Sequence, residues 1–199
     1  MAIPRTLSKD DIDRALDLAI TLSGGGEEGV QIDTSLRKAA TLCPIIQRPH
    51  GLSVILTRRA ENLRAHPGQI SFPGGKIDPS DRSPLEAALR EAEEEIGLEA
   101  HQVEVSGALN PYATGTGFLV TTFVGFIDPT FHAVADPSEV AEVFEVPLDF
   151  VMERKNFRRE SYTIDGKRRQ FYVIMVRDYR IWGATAGMLR ELADRVARL

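Results

Sequence analysis

Glu91, Glu93, Glu94 and Glu95 crowd the stretch just ahead of Gly97. The residues around them predict a helix. Ser83 suits its cap, Pro84 the first helical position, and Glu86 completes a capping box. Leu85, Ala88, Leu89, Ala92 and Ile96 recur at helical spacing and predict the buried face, with Gly97 as a left-handed stop. At the C-terminal end of a helix the macrodipole is negative, so each acid there is unfavourable by roughly 0.3–1 kcal/mol. Glu91 also repels Glu94 and Glu95 at i,i+3 and i,i+4, and Arg90 alone does not neutralise four carboxylates. A merely solvated acidic face gains nothing from this arrangement. A hard divalent cation such as magnesium takes carboxylate oxygens, keeps waters for a phosphate ligand, and supplies the missing positive charge. The helix reads as a metal platform.

From Gly75 onward the stretch resembles the Nudix box, G-x5-E-x7-R-E-U-x-E-E-x-G-U with U aliphatic. Arg90, Glu91, Glu94, Glu95, Gly97 and Leu98 match it, and Ala92 stands at the first U. The first half departs from the pattern. Asp81 occupies the place of the first glutamate, and eight residues instead of seven separate it from Arg90. Upstream, Ile55-Leu56-Thr57-Arg58-Arg59-Ala60, Arg64, Gly68 and Phe72-Pro73-Gly74-Gly75 are similar to L-L-T-x-R-[SA]-x3-R-x3-G-x3-F-P-G-G. That motif marks the coenzyme A diphosphatase branch of the Nudix hydrolases; only Ile55 deviates.

The resemblance implies an α/β Nudix fold, an α/β/α sandwich around a mixed central sheet. It implies a metal-dependent enzyme using Mg2+ or Mn2+ and cleaving the diphosphate of coenzyme A or a derivative to 3′,5′-ADP and 4′-phosphopantetheine. Glu91 and Glu95 become the metal ligands, with Glu94 as a ligand or an acid beside them and the Gly75 carbonyl in the same shell. Gly74 lets the backbone pass close to substrate, and Arg59 and Arg64 suit phosphate recognition because guanidinium forks match phosphate oxygens. Arg90 reaches Glu86 or Glu94 at helical spacing and orients a carboxylate. The general base is Glu139, Glu142 or a glutamate of the box. Two rival readings keep part of this. One is hydrolysis of ADP-ribose or another nucleoside diphosphate derivative, which the upstream motif disfavours. The other is a Nudix-fold binding module without catalysis, which typically loses box acids; here all three stand. A P-loop is excluded, because no G-x4-G-K-[ST] occurs.

The remaining chain must position these groups. With 199 residues it suits one domain with a sizeable core, residues 30–199, preceded by a helix and a glycine-rich linker over 1–29. A formal net charge of −5 argues against a nucleic acid partner. Cys43 is the only cysteine, so no internal disulfide forms, and its apolar surroundings make it a core residue. No stretch has the length and apolarity of a membrane span or signal core, which makes the cytoplasm the expected compartment. A homodimer is compatible with such a chain.

Strands are expected at Ala40–Gln47, Leu52–Thr57, Gln69–Phe72, Val103–Leu109, Phe118–Ile127 and Gln170–Val176, with Pro44 near an edge or a bulge. Helices are expected from about Lys9 to Leu22, packed on the domain, and at the C-terminus to about Leu199. Tyr112 sits in a loop where it could stack on a base. The basic stretch from Arg154 to Arg169 surrounds a hairpin turned at Asp165-Gly166 and reads as surface charge or as a contact for substrate phosphates.

Overall fold

Strand β1 (Arg37–Arg48) is the axis of the main sheet. It runs parallel to β7 (Phe118–Ile127) along one edge and changes partners along the other. Ile45 to Arg48 pair with β2 (Gly51–Arg59) through the turn at Pro49-His50, whereas Ala39 to Thr41 pair with β4 (Gly74–Lys76). Beyond Val54, β2 leaves β1 and pairs with the short β3 (Ile70–Ser71) at Thr57 and Arg58. The segment from β3 to β4 therefore fills a fork between the splayed ends of β1 and β2. Pro44 stands at the apex of that fork. The Leu42 N–H donates to the Pro73 carbonyl at 2.9 Å, and strand alternation directs the nitrogen of Pro44 toward the same side. Its missing N–H thus falls where β1 has no neighbour to serve. The expected edge or bulge is corrected: the strand is interior, and the proline marks a change of partner.

The sheet is completed by β5 (Val103–Ala108) and β6 (Tyr112–Ala113), both antiparallel to β7, and by β8 (Val140–Pro147) along the outer side of β2. The computed structural model describes residues 7–18, 26, 30, 32–63, 65–164 and 167–199. One face of the sheet is covered by α2 (Pro84–Ile96), whose Ala87, Ala88, Ala92 and Ile96 pack on Ala40, Leu42, Ile46 and Ile55. The other face buries the larger core against α1 (Lys9–Asp17), α3 (Leu148–Met152), α4 (Gly183–Val196) and a three-stranded antiparallel sheet of β9 (Phe157–Ile164), β10 (Lys167–Val176) and β11 (Tyr179–Trp182). The result is the expected α/β/α sandwich with a mixed sheet, plus a small second sheet. Each large apolar side chain fully buried here contributes about 1.5–3 kcal/mol.

Helix α1 belongs to this core. Ile12 and Ala15 are fully buried, and the carbonyls of Leu16 and Leu18 at its end accept from Arg195 of α4. The expected extension of the helix to Leu22 and all of the glycine-rich linker except Gly26 lie outside the described residues. Tyr112 is corrected from loop to core. It is 5% exposed, and its ring packs so close to Gly187 of α4 that a side chain there would collide with it. Cys43 is buried as expected, and burial pushes its thiol up, which leaves it unreactive. Among the described residues no helix is long and apolar enough to cross a membrane.

Candidate active site

The helix that carries the glutamates starts and stops as its sequence dictates. The Ser83 hydroxyl accepts from the Glu86 N–H at 3.1 Å, and Gly97 closes the helix at φ +70°. The capping box is only half made. The Glu86 carboxylate turns back to the Arg82 N–H at 2.6 Å and to the Arg82 guanidinium, so it is taken before Arg90 can use it. The buried face is also rotated from the expected one. Ala87 and Glu95 lie inside, while Leu85 and Leu89 are only half-buried. The cause is the fork. Its Gly74-Gly75 backbone lies on the helix flank that holds Glu91 and Glu95, and the helix turns that flank inward.

Glu95 is 1% exposed, yet its partners are few and distant. Its Oε2 accepts from the Gly74 N–H at 3.3 Å, and its Oε1 lies 3.6 Å from Nη1 of Arg59 at the end of β2. Burial raises its carboxyl to about 8. Arg59 and the Gly74 N–H oppose the shift, and Glu91 and Glu139 add to it. Glu91 is half-buried, and its carboxyl is raised by burial first, with further push from Glu94 and Glu139; Arg90, at 3.0 Å, works the other way. Gly75 is indispensable by shape, since a Cβ there would stand 2.5 Å from the Glu91 carboxylate. Gly74 has φ +150° and would press a Cβ against the Ala40 carbonyl and Thr41.

Arg90 organises the solvent side of the helix. Its Nε and Nη2 grip both oxygens of Asp81 at 3.1 and 3.2 Å, and Nη1 reaches Glu94 at 2.9 Å and Glu91 at 3.0 Å. Of the two partners expected for Arg90, Glu94 is found, and Glu86 is corrected to Asp81. Asp81 also accepts from the Asp78 N–H at 2.7 Å, and Arg90 beside it holds its carboxyl below the ordinary range. The one-residue insertion before the helix thus brings a shorter acid to the same arginine. Sequence spacing alone left Asp81 without a role.

Of the two candidate bases outside the box, the structure brings one to the cluster. Glu139 precedes β8, and its carbonyl accepts from the Ala60 N–H at 2.8 Å. It is the acid outside the box whose charge acts on both Glu91 and Glu95. Glu142 lies on the other face of the sheet. Along β8, Val143 packs on the α2 side, whereas Phe144 and Val146 pack on the opposite core. Glu142 pairs there with Arg58 at 3.1 Å and accepts from the Tyr179 hydroxyl at 2.5 Å. Glu94 is more than half exposed and belongs to Arg90. Arg64 lies outside the described residues. The basic stretch is engaged locally: Arg154 binds Asp194, Lys155 Glu153, Arg158 Glu160, and Arg159 meets Gln170 and Tyr172.

Among the described residues, no three acids, histidines or cysteines close into a ready-made metal cage. Arg59 contacts Glu95 at 3.6 Å and Arg90 contacts Glu91 at 3.0 Å. The donor set nonetheless fits a hard divalent ion. A buried carboxylate with two long contacts lies beside a second raised carboxylate, and a glycine keeps the space next to it clear.

The NUDIX domain family model matches residues 36–165. The chain belongs to the Nudix hydrolase family. As the box implies, it is a pyrophosphohydrolase. Relatives named uncharacterized Nudix hydrolase NudL include one from Citrobacter koseri, 42% identical over 160 residues and covering 80% of this chain and 83% of that one. Another, from Photorhabdus laumondii, is 40% identical over 160 residues and covers 80% and 85%. Among solved structures, the Nudix hydrolase RenU of M. smegmatis superposes with a TM-score of 0.57 at 23% identity, over 87% of this chain and 93% of that one. That likeness is one of fold. As a family, Nudix hydrolases act on small nucleotide derivatives and generally use divalent metal ions.

Proposed function

We propose that this Nudix hydrolase cleaves the diphosphate of coenzyme A or a derivative, in a metal-dependent reaction that yields 3′,5′-ADP and 4′-phosphopantetheine or its acyl form. The observation that carries the reading is the meeting of two sequence motifs at one carboxylate. Glu95 of the box faces Arg59 and the Gly74 N–H, both from the upstream coenzyme A diphosphatase motif. Glu91, Glu95 and the Gly75 carbonyl would hold Mg2+ or Mn2+. When bound, the ion neutralises charge on the diphosphate oxygens and makes a water nucleophilic. Arg59, partly exposed and held among the described residues by one loose contact, turns its fork from Glu95 to a phosphate oxygen. Arg90, anchored by Asp81, fixes Glu91 and Glu94 in place. We assign the proton of the attacking water to Glu139, whose charge acts on Glu91 and Glu95, rather than to Glu142, which pairs with Arg58 on the far face of the sheet. The cytoplasm is the compartment where such a substrate would be met.

The test is product analysis by mass spectrometry with magnesium or manganese and a panel of coenzyme A, ADP-ribose and dinucleotides, run beside Glu95→Gln. Metal-dependent 3′,5′-ADP from coenzyme A, lost in the variant, is the expected result. Faster cleavage of ADP-ribose overturns the substrate and keeps the metal site. Binding without turnover of any compound would instead favour a non-catalytic module.

A further inference from the structure

Behind the end of β2, on the sheet face away from α2, lies a cleft of about 630 Å3. It is lined by Arg58 and Glu142 of the main sheet, by Gly68 and Ile70, and by Arg177 to Arg180 and Trp182 around the β10–β11 turn. Its volume falls within the range of small-molecule sites. Consecutive residues of a strand point to opposite faces. Arg59 therefore faces Glu95 while Arg58 faces the cleft, and a single strand end separates the two. The cleft offers two aromatic surfaces. Tyr179 is fixed by stacking on Phe144 at 3.9 Å between centroids and by its hydroxyl on Glu142. Trp182 packs edge-on against Phe171, and the Arg180 guanidinium stands over its ring at 5.4 Å from the centroid, so a base stacking there shares the ring with that arginine or displaces it.

The cleft also offers cationic groups with spare capacity. Arg58 shares Glu142, but its buried Nε has no hydrogen-bond partner among the described residues. A buried donor left unmet is costly unless something outside the chain meets it. Arg180 is drawn off to Glu160 at 2.6 Å. Arg177, in contrast, has no acidic partner within the ion-pairing distance among the described residues. It holds φ +51° at the first position of the two-residue turn, a conformation that favours glycine. A strained cation with no internal partner serves no purpose in the turn itself.

We infer that this cleft binds a nucleoside 3′-phosphate, with the base on Tyr179 and Trp182 and the 3′-phosphate on Arg58 and Arg177. The inference rests on the proposed coenzyme A reading. It assigns the substrate's 3′-phosphoadenosine end to the cleft and leaves the diphosphate to Glu91, Glu95 and Arg59 across the strand end. Stacking accepts any base, so the arginines carry the discrimination, which is for the extra phosphate.

Trp182 is the only tryptophan, so its fluorescence reports on the cleft alone. Metal-free protein is titrated with adenosine 3′,5′-bisphosphate and, separately, with AMP. The expected result is a saturable change with the bisphosphate at an affinity about tenfold tighter than AMP. Arg177→Gly removes the guanidinium and suits the backbone, so it should fold with an unchanged or higher Tm while losing that tenfold preference. Arg58→Lys, read by calorimetric titration, should lose most of it as well. Equal binding of the two nucleotides by wild type, or a preference untouched in Arg177→Gly, overturns the inference. The same preparations are assayed for coenzyme A cleavage with magnesium. Cleavage at equal KM in wild type and Arg177→Gly, with a silent cleft, sinks the inference and keeps the proposed reaction. The expected titrations without any cleavage keep the nucleotide site and sink the reaction.

Discussion

Among the described residues, two glutamates are buried on helices, and their surroundings differ in kind. Glu191 of α4 accepts from Nε and Nη2 of Arg195 at 3.1 and 2.8 Å and from the Asn110 N–H at 2.9 Å. Arg195 in turn serves the carbonyls at the end of α1, so the pair ties three segments together. Glu95 of α2 is buried at least as deeply, yet it has one backbone donor at 3.3 Å and one guanidinium at 3.6 Å. Two further acids also act on it. A buried charge is tolerated when it is paired and hydrogen-bonded, and Glu191 meets that condition. Glu95 does not, and its raised carboxyl records the shortfall. The difference separates a carboxylate that completes the fold from one whose partners leave it underserved, as the proposed metal ligand would be.

Glu95→Gln gives the largest expected effect and tests the second half of the comparison. Removing one ligand charge should lower metal-dependent turnover by about 10^3-fold, the equivalent of several kcal/mol of transition-state stabilisation. Above about pH 8 the metal-free variant should melt higher than wild type, because an underserved buried charge has been removed, and at lower pH, where Glu95 holds a proton, at about the same temperature. A Tm several degrees lower would mean that Glu95 is a structural residue like Glu191.

Glu191→Gln tests the first half. It strands the Arg195 guanidinium, 4% exposed, and should cost about 3 kcal/mol of stability, read by chemical denaturation. Turnover per folded molecule should stay within a few-fold of wild type. The two variants should thus cross over, one losing activity and keeping stability, the other doing the reverse.

The contrast between the two acids was only partly legible in the chain. The helix cap at Ser83, the stop at Gly97 and the acid cluster follow from local rules, and the structure keeps them. Burial of Glu95 does not follow, because the apolar spacing of Leu85, Ala88, Leu89 and Ile96 points to a face slightly rotated from the real one. What turned the helix is the fork between β1 and β2, a contact between residues far apart in sequence. Asp81 was seen at the place of the first box glutamate but was left without a role for a related reason: its bond to Arg90 closes a loop whose length breaks the motif. Glu142 and Glu139 looked alike as loop acids until β8 formed and its alternation sent Glu142 to the opposite face. The β9–β10 hairpin was legible in the chain and its strands pair as expected, but β11 and the cleft beside it were not, since Arg58 and Arg177 meet only in the folded molecule.

The pH dependence sharpens the comparison further. The Glu95 carboxyl ordinarily titrates near 4.5 and in the fold is raised to about 8. Between those values the folded state holds a proton that the unfolded chain has released, so metal-free stability falls as pH rises across the window. A metal ion replaces the proton, and the stabilisation it confers should grow over the same interval. Thermal melts with and without magnesium should differ by several degrees more at pH 8.5 than at pH 5.5. In Glu95→Gln that pH dependence should largely vanish, whereas in Glu191→Gln it should persist.

The smallest expected effect concerns the arginine that stands over the metal-side acids. Asp81→Asn keeps the shape of the side chain and one acceptor oxygen but removes the charge that both guanidinium nitrogens of Arg90 grip. Arg90 then loses its fixed anchor and draws more closely on Glu91 and Glu94, which it already touches at 3.0 and 2.9 Å. Metal affinity should weaken by about tenfold, the usual cost of disturbing a residue behind the ligands, with kcat at saturating metal nearly intact. Asp81→Glu supplies the acid that the Nudix box has at this place, on a loop one residue longer. If Arg90 needs only a carboxylate within reach, that variant binds metal like wild type. If the inserted residue and the shorter acid compensate each other, Asp81→Glu is as weak as Asp81→Asn. Either outcome can be read from a metal titration of Tm, with no substrate present.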